Sequence, residues 1–342
     1  MIGIRVDMNE KIATGHVMRC LAIASGLKNI GLDCLFITAD ENAKQTLNLY
    51  GFKGVCLYSQ WDNLEIETNQ LVNIIRVYKI NKLIVDSYYV TEQYLQQLMN
   101  YTKVIYIDDM NFFRYPASMV INYNNYYEIF SYKKIYGETT TKLLLGCDYT
   151  PLREEFRTIN YQFKEIVKRI LITTGGIDQY NITGKLLKRI IAMRLFKDIE
   201  FHVVVGSFNK NIISLKKLSG RINSVILYQN IGDMSKLITS CDIAITAGGS
   251  TMYELCACGI PAISFSFADN QILGVKGFAK DGLIAYAGDA RSNEVKCIAN
   301  LIAYIEEYIK NPEDRKEKSI NMRKKVDGNG VVRIVKAIVD LY

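Results

Sequence analysis

The sequence predicts an α/β protein built from two doubly wound domains, each with a parallel sheet covered by helices. Short β-branched runs alternate with stretches of helical periodicity along the whole chain, which is the pattern of parallel strands joined by helical crossovers. The chain has 342 residues, more than the ~250–300 at which a single hydrophobic core stops growing. We therefore expect two Rossmann-like domains, residues 1–155 and 165–342, that face each other across a cleft.

Seven strands are predicted in the first half of the chain. They lie near residues 2–6, 34–38, 54–57, 82–86, 104–107, 119–121 and 142–145. A helix is predicted from His16, because Val17, Cys20, Leu21, Ala24 and Leu27 recur at helical spacing. The pattern weakens between Asp148 and Glu165, where Pro151 and a charged run precede a new strand. We expect the linker there.

Six further strands follow the linker, each separated from the next by a helical stretch. They are predicted near residues 169–173, 201–205, 225–228, 242–246, 260–265 and 283–286. Amphipathic helices then close the chain from about Asn293 onward. In doubly wound sheets ligands bind at the carboxyl ends of the strands, so the site is expected at those ends and between the domains.

The composition is that of a globular protein with a modest positive charge. Basic residues number 42 against 35 acidic ones, a net charge of +7 that is scattered along the chain, so nucleic acid is not the expected partner. The eight cysteines form no C-x-x-C pair, which favours reduced thiols in a cytoplasmic protein. Arg5, Asp7, Glu10 and Lys11 interrupt any signal sequence, and no stretch reaches the roughly 20 apolar residues of a membrane span.

Two glycine pairs directly follow strands of the second half. They are Gly175-Gly176, and Gly248-Gly249 with Ser250-Thr251 behind it. Glycine lets the backbone approach an anion, while Ser250 and Thr251 can cap the next helix and present its N–H groups to a phosphate. Neither pair fits a Walker loop or a G-x-G-x-x-G fingerprint, and tight turns need glycine in any case. Two interpretations of these turns therefore stay open, a diphosphate site and a structural turn. Glu254 is either a ribose ligand or a surface acid.

His16 lies between the first strand and the first helix, and it is one of only two histidines. A helix N-terminus disfavours the imidazolium, so a neutral ring that can accept a proton is expected there, with a packing or capping histidine as the alternative. His202, inside a strand, is expected to be a satisfied core or edge histidine. Asp108 and Asp109 follow another strand without further ligands, and we interpret them as loop and helix-start acids.

Together these motifs resemble those of the MurG-related nucleotide-sugar family, most closely its PseG-type UDP-2,4-diacetamido-2,4,6-trideoxy-β-L-altropyranose hydrolases and SpsG-like spore coat polysaccharide members. The similar segments span nearly the whole chain, and their order and spacing are specific. They are Arg5-Val-Asp7, Thr14-Gly15-His16-Val-Met-Arg19-Cys20, Asp86-Ser-Tyr88, Ile107-Asp108-Asp109, Gly146 to Phe156, Gly175-Gly176-Ile-Asp178, Asp233-Met234, Ala247 to Glu254, Asn270-Gln271 and Asp327 to Arg333. Ala13 is a departure, since relatives usually have glycine there.

The resemblance implies a GT-B fold whose first domain carries the catalytic histidine and whose second domain holds UDP. His16 then activates water, Gly248 to Thr251 hold the diphosphate, Glu254 the ribose and the turn from Ile231 to Met234 the uracil, while Tyr88 and Asn270 line the sugar site. The implied substrate-binding set also includes Gly15, Arg19, Arg153, Gly175, Gly176, Gly249, Ser250 and Gln271. The resemblance implies a UDP-sugar as the ligand, with no cofactor and no metal. We expect a monomer.

The implied reaction is hydrolysis of the UDP-sugar to UDP and a free sugar, in pseudaminic (nonulosonic) acid biosynthesis. UDP leaves readily once helix N-termini hold its charge, so one base on the opposite face is enough and water attack inverts the anomeric carbon. Two alternatives stay open: a MurG-like glycosyltransferase for surface polysaccharide, and a nucleotide-sugar-binding protein without catalysis. The aromatic block from Tyr123 to Tyr132 either lines the sugar pocket or packs, and packing is favoured.

Overall fold

The computed structural model describes residues 1–206 and 208–341, and the chain divides into two compact units. Unit 1 comprises Met1–Glu154 together with the C-terminal segment from Asn329 onward, and unit 2 is Glu155–Gly328. The domain ranges predicted from the sequence placed that C-terminal segment in the second domain, and here the structure differs. The segment forms an amphipathic helix whose apolar face is buried within unit 1.

Unit 1 contains one seven-stranded parallel sheet. Its strands are β1 (Ile2–Val6), β2 (Cys34–Thr38), β3 (Lys53–Cys56), β4 (Lys82–Asp86), β5 (Lys103–Ile107), β6 (Met119–Asn122) and β7 (Lys142–Leu145). Its first helices are α1 (Gly15–Asn29), α2 (Lys44–Leu49), α3 (Thr68–Val77), α4 (Glu92–Met99) and α5 (Tyr132–Tyr136). Short 3-10 helices span Leu64–Glu67, Tyr127–Phe130, Cys147–Tyr149 and Glu154–Phe156, the last of them across the unit boundary.

The strand order of this sheet is β3-β2-β1-β4-β5-β6-β7. All five residues of β1 are buried, as expected for a central strand with both faces covered. β1 pairs with β4 in a register that places Val6 opposite Asp86. The segments that follow β1 and β4 therefore begin side by side at the carboxyl edge of the sheet.

Unit 2 contains one six-stranded parallel sheet. Its strands are β8 (Arg169–Thr173), β9 (Glu200–Val204), β10 (Val225–Tyr228), β11 (Ile243–Ala247), β12 (Ala262–Ser266) and β13 (Ile284–Asp289). Its helices are α6 (Ile182–Ala192), α7 (Ile212–Ser219), α8 (Met234–Ser240), α9 (Thr251–Cys258), α10 (Asp269–Lys280), α11 (Glu294–Lys310) and α12 (Pro312–Lys325). The strand order β10-β9-β8-β11-β12-β13 makes β8 and β11 neighbours, so the segments after these two strands share one edge.

The last helix, α13 (Gly330–Val339), returns to unit 1 and packs on α1. A Cβ atom on Gly26 of α1 would lie 2.4 Å from Val331 Cγ1, so the absence of a side chain at Gly26 permits this close packing. Lys82 Nζ donates to the carbonyl of Ile338 at 2.7 Å, near the C-terminal end of α13. Apolar burial and a lysine at the helix C-terminus thus fix α13 to unit 1.

Every strand predicted from the sequence is present, and most ends differ by no more than two residues. The cysteines of the described residues are all free, and six of the eight are buried. Within residues 1–206 and 208–341, no helix has both the length and the apolar character needed to traverse a bilayer.

Candidate active site

His16 lies in the first turn of α1, beside the carboxyl end of β4. Its Nδ1 atom is 2.6 Å from Asp86 Oδ1, and both side chains are buried. An ionised carboxylate oxygen can only accept a hydrogen bond, so Nδ1 carries the hydrogen of this pair. Whenever the ring is neutral, Nε2 is therefore its unprotonated nitrogen. The pair therefore has the tautomer that a general base requires.

Arg19, one helical turn after His16, holds the other side of Asp86. Its Nε and Nη2 atoms donate to the two oxygens of Asp86 at 2.6 Å each. Its Nη1 atom donates to Asp109 Oδ2 at 2.8 Å and to the Tyr123 hydroxyl at 2.7 Å. The guanidinium thus bridges the carboxyl ends of β4 and β5 and orients the carboxylate toward the histidine.

Tyr88 completes this group from the segment after β4. Its ring stands edge-on to the His16 ring, with centroids 4.6 Å apart, and its hydroxyl donates to Asp109 Oδ2 at 3.2 Å. The histidine cluster is defined here as His16, Arg19, Asp86, Tyr88, Asp109 and Tyr123. Three of its members, His16, Arg19 and Tyr88, were predicted site residues, and the structure brings them together.

The charges of the histidine cluster oppose the effect of burial. Burial would raise the pKa of Asp86, but the Arg19 guanidinium and the His16 ring hold that pKa well below the usual range of a carboxyl. Burial likewise lowers the pKa of Arg19, and the carboxylates of Asp109 and Asp86 outweigh it and raise that pKa. Asp86 is therefore a permanent anion next to the histidine, and it shares the permanent cation Arg19 with Asp109.

A second buried network supports the cluster from the β1 side. Arg5 is fully buried and donates to Asp7 and to Glu67, with Arg5 Nε 2.5 Å from Glu67 Oε1. Asp7 also accepts the backbone N–H of Ala39 at 2.7 Å, and burial raises its pKa against the opposing charge of Arg5. These bonds tie β1, β2 and the start of α3 into one rigid edge.

A small pocket opens beside the histidine cluster within unit 1. It is lined by Asp7, Ile12, His16, Trp61, Asp86, Ser87, Tyr88 and Tyr89. The cavity measures ≈ 10 Å³. This volume is at the lower end of the ~10–15 Å³ that one water molecule needs. His16 and the two acids give a bound water several polar partners. The pocket can thus hold one water molecule against the histidine.

Gly248 and the three residues after it lie between β11 and α9 in unit 2. A Cβ atom on Gly248 would meet Val275 Cγ2 at 2.2 Å, so this glycine is required by packing on α10. Gly249 has no neighbour within 4 Å of such an atom, and both Gly249 and Ser250 are exposed. Ser250 occupies the N-cap position of α9 without a side-chain cap hydrogen bond, which differs from the expected capping role of its hydroxyl. No side chain of Ser250 therefore covers the N-terminus of α9, and the backbone there is exposed.

The other glycine pair follows β8, the neighbour of β11. Gly175 has φ +73°, a conformation that favours glycine, and it is exposed. A Cβ atom on Gly206 would lie 2.1 Å from the Gly175 carbonyl oxygen, so three glycines form this corner. Asp178 caps α6 by accepting the N–H groups of Ile182 and Thr183 at 2.9 and 3.1 Å. Both glycine turns therefore lie at one edge of the sheet, as predicted.

The remaining predicted residues of unit 2 surround the same edge. Asn270 and Gln271 lie in the first turn of α10, after β12, and Gln271 Oε1 accepts the N–H of Phe267 at 2.9 Å, a bond that braces the loop. The turn from Ile231 to Met234 leads into α8, which packs on α9. Glu254 is half-buried in the first turn of α9.

Arg153 and Gly15 are the remaining predicted site residues of unit 1. Arg153 Nη1 donates to the Tyr50 hydroxyl at 3.4 Å, and Tyr50 lies just before the amino end of β3. Gly15 opens α1, where a Cβ atom would meet nothing within 4 Å and φ is not positive. Neither packing nor backbone conformation therefore demands glycine at residue 15.

The sequence analysis missed the roles of two acids. Asp86 was given no role of its own. It lies beside His16 because β4 is the neighbour of β1 in the sheet. Asp109 was interpreted as a loop or helix-start acid, and it is instead buried against Arg19. Asp108 is a loop acid, since it accepts the N–H groups of Met110 and Asn111. One signal in the sequence could have indicated their roles. Asp86 ends β4 and Asp109 follows β5, so each acid lies at the carboxyl end of a predicted strand.

The prediction for His202 is confirmed, since it is a buried histidine of β9 whose Nδ1 lies 2.9 Å from the Tyr228 hydroxyl. In the aromatic block after β6, Tyr132 is buried and stacks on Tyr136, as the packing interpretation expects. Tyr123, at the other end of the block, belongs to the histidine cluster. Among the residues that the structure describes, no group of three or more His, Cys, Asp or Glu side chains is placed to hold a metal ion.

The glycosyltransferase family 28 C-terminal domain matches residues 155–334, which is more than half of the chain and includes both glycine turns. The chain belongs to this family. The Acinetobacter baumannii MurG crystal structure aligns with a TM-score of 0.66 at 14% identity over 98% of each chain. This family 28 chain therefore has the GT-B fold of two parallel-sheet α/β domains.

Curated relatives of this family 28 chain fall into two groups by length. The Bacillus subtilis spore coat polysaccharide biosynthesis protein SpsG is 24% identical over 100% of this chain and 98% of its own. An uncharacterized protein of Methanocaldococcus jannaschii is 26% identical over 77% of this chain, which spans about half (54%) of that relative. A Helicobacter pylori protein named pseudaminic acid cytidylyltransferase and UDP-2,4-diacetamido-2,4,6-trideoxy-β-L-altropyranose hydrolase is 31% identical over 41% of this chain and 24% of its own.

Proposed function

We propose that this family 28 chain hydrolyses a UDP-linked 2,4-diacetamido-2,4,6-trideoxyhexose to UDP and the free sugar. The observation that carries the proposal is the buried His16–Asp86 pair beside a cavity of water size. The Helicobacter pylori relative, whose name includes hydrolysis of such a sugar nucleotide, supports the choice of substrate. The free sugar would be a precursor for pseudaminic acid.

The base in this reaction is His16. Nε2 takes a proton from the bound water as the water oxygen attacks the anomeric carbon, and Asp86 stabilises the imidazolium that forms while it holds the ring in place. Attack occurs on the face opposite the leaving UDP, so the anomeric configuration inverts. A single base is enough in this scheme, whereas ordinary glycosidases use a pair of carboxyl groups. The two carboxylates of the pocket, Asp7 and Asp86, are each bound by an arginine.

The leaving group is the β-phosphate oxygen of UDP, and unit 2 supplies its stabilisation. The start of α9, at Ser250 and Thr251, offers backbone N–H groups and the positive end of a helix dipole. Within the described part of the chain, the N–H groups of Ser250 and Thr251 donate to no backbone carbonyl. A diphosphate stabilised in this way leaves without protonation, so we infer a reaction that needs no metal ion.

A glycosyltransferase is the second candidate. The family 28 match and the MurG-type relatives support it, and the chemistry differs only in that an acceptor hydroxyl replaces water. The two candidate reactions use the same nucleotide site. They differ only in whether water or an acceptor hydroxyl attacks the sugar.

The deciding experiment follows UDP release from UDP-2,4-diacetamido-2,4,6-trideoxy-altropyranose in ¹⁸O-labelled water with a chelator and without any acceptor. The proposal expects steady turnover, label in the C1 hydroxyl of the sugar and none in UDP. Label in the phosphate would contradict C–O cleavage. Tight UDP binding without release would favour the transferase and direct the search to its acceptor.

A further inference from the structure

Aromatic rings line the outer wall of the pocket beside His16. The Trp61 and Tyr89 rings meet edge to face, with centroids 5.1 Å apart and planes at 85°. Lys11 Nζ lies over the Trp61 ring, 5.5 Å from its centroid. Tyr89 keeps 42% of its surface exposed and Trp61 is half-buried. Trp61 is also the single tryptophan of the chain.

Three separate loops of unit 1 build this wall. Lys11 and Ile12 follow β1, Trp61 follows β3, and Tyr88 and Tyr89 follow β4. The loops come from three strands of one sheet, and each contributes its side chain at the carboxyl edge where the histidine cluster lies. The result is a polar floor of His16 and Asp86 below a partly exposed aromatic rim, which is the usual make-up of a small-molecule site.

We propose that Trp61, with Tyr89 and Lys11, forms the sugar-recognition wall of the site and selects an N-acetylated deoxyhexose. This inference rests on the proposed function. A hexose with a methyl group at C6 and acetamido methyl groups presents apolar C–H surface, which packs against an indole face. Lys11 Nζ offers hydrogen-bond donors for an acetamido carbonyl oxygen at the rim. Trp61 is thus a specificity-determining residue for the reaction of His16.

Because Trp61 is the single tryptophan, its fluorescence reports on this wall alone. The first experiment titrates the wild-type protein with free 2,4-diacetamido-2,4,6-trideoxyhexose, which cannot turn over, and in parallel with UDP. The sugar is expected to shift or quench the emission in a saturable way, with N-acetylglucosamine weaker by about tenfold. An emission unchanged by the free sugar at tens of millimolar would overturn the proposal.

The second experiment measures kinetics of Trp61 variants. W61A is expected to raise KM for the UDP-sugar by about tenfold with kcat reduced less than about threefold, and W61F to stay within about threefold of wild type in KM. Tyr58→Ala is the matched control, because Tyr58 is an aromatic three residues earlier that is 79% exposed and does not line the pocket. Equal KM values for W61A and the Tyr58 variant would overturn the proposal.

The two arms separate this inference from the proposed function. Turnover of the UDP-sugar by all variants with equal KM leaves the hydrolase standing and rejects the wall. A saturable fluorescence response to the free sugar without any turnover supports the wall and rejects the hydrolase. If W61A does not fold, the wild-type titration with the free sugar still decides.

Discussion

At the residue scale, the environment of Asp86 determines what His16 can do. Arg19 occupies the other side of Asp86 with two hydrogen bonds of 2.6 Å, and the same guanidinium also binds Asp109. These bonds fix the carboxylate of Asp86 in place. The carboxylate in turn orients Nδ1 of the His16 ring.

We expect His16→Ala to lose kcat by about 10³-fold or more and Asp86→Asn by about 10²–10⁴-fold, because the first removes the base and the second its correct tautomer. Dissociation constants for UDP, measured by calorimetry, should change less than about twofold in both. Asp108→Asn is the control, since Asp108 is an equally buried acid outside the histidine cluster. Loss of UDP affinity with turnover per bound complex preserved would contradict the base role.

The lowered pKa of Asp86 also predicts how stability depends on pH. Its pKa in the folded state lies below the unfolded value of about 3.9, so its contribution is complete above that value and is lost as pH falls through the folded pKa. The difference in unfolding free energy between wild type and Asp86→Asn should therefore shrink from pH 5 to pH 3. For Asp7, whose pKa burial raises, the corresponding difference should change in the opposite direction.

Ala13 carries backbone strain at the start of the site. Its φ is +56°, which costs an alanine about 1–2 kcal/mol relative to glycine. Ala13→Gly should raise the unfolding free energy of unit 1 by about 0.5–1 kcal/mol after the entropy loss of glycine is subtracted. Denaturant unfolding checks this, with Ala22→Gly in the interior of α1 expected to destabilise by about 1 kcal/mol.

At the element scale, the strands were predictable and their neighbours were not. Runs such as residues 2–6 and 169–173 are short and rich in β-branched residues, a pattern that identifies a strand without any knowledge of its partners. Asp86 joins His16 only because β4 is placed next to β1, and strand order is a property of the whole sheet. Asp109 was missed for the same reason, since its partner Arg19 lies 90 residues away.

Gly248 and Gly249, which follow β11, are expected to have different roles, one in packing and one in UDP binding. Alanine substitutions can distinguish these roles. Gly248→Ala should destabilise unit 2 by about 1–3 kcal/mol, because its Cβ would meet Val275 at 2.2 Å and push α10 away. Gly249→Ala should leave stability within about 0.5 kcal/mol, since that Cβ would meet nothing, yet it should weaken UDP binding if the diphosphate lies there. Thermal unfolding and calorimetric titration with UDP check both. Unchanged UDP affinity in Gly249→Ala would count against this diphosphate site.

At the scale of the whole molecule, one unit is continuous in sequence and the other is not. The sequence reading assigned the closing helices to the second domain together, because amphipathicity shows that a helix has an apolar face and does not show which core that face meets. The small residue Gly26 on α1 and the lysine Lys82 at the start of β4 decide the assignment of α13. Neither is recognisable as a docking site before the sheet is built.

Residues on opposite faces of α13 provide the test of this assignment. Ile334→Ala should lower the unfolding free energy of unit 1 by about 2–5 kcal/mol, because Ile334 is fully buried. Val332→Ala, at a position 44% exposed in the same helix, should change it by less than about 0.5 kcal/mol. A ligand raises the melting temperature of the unit that binds it. UDP should therefore stabilise the unfolding transition of unit 2 and leave the transition affected by Ile334→Ala unchanged. A loss that fell on the UDP-stabilised transition would assign α13 to unit 2.

The return of α13 also sets the order of events during synthesis. The residues of β1 and α1 leave the ribosome first, yet the unit that they build is completed last, after Gly330 and the rest of α13 have emerged. Unit 2 is a single uninterrupted stretch and is fully translated earlier. The face of α1 that α13 covers therefore stays uncovered while residues 30–329 are translated, which is most of the chain. This face is where we expect a chaperone to bind.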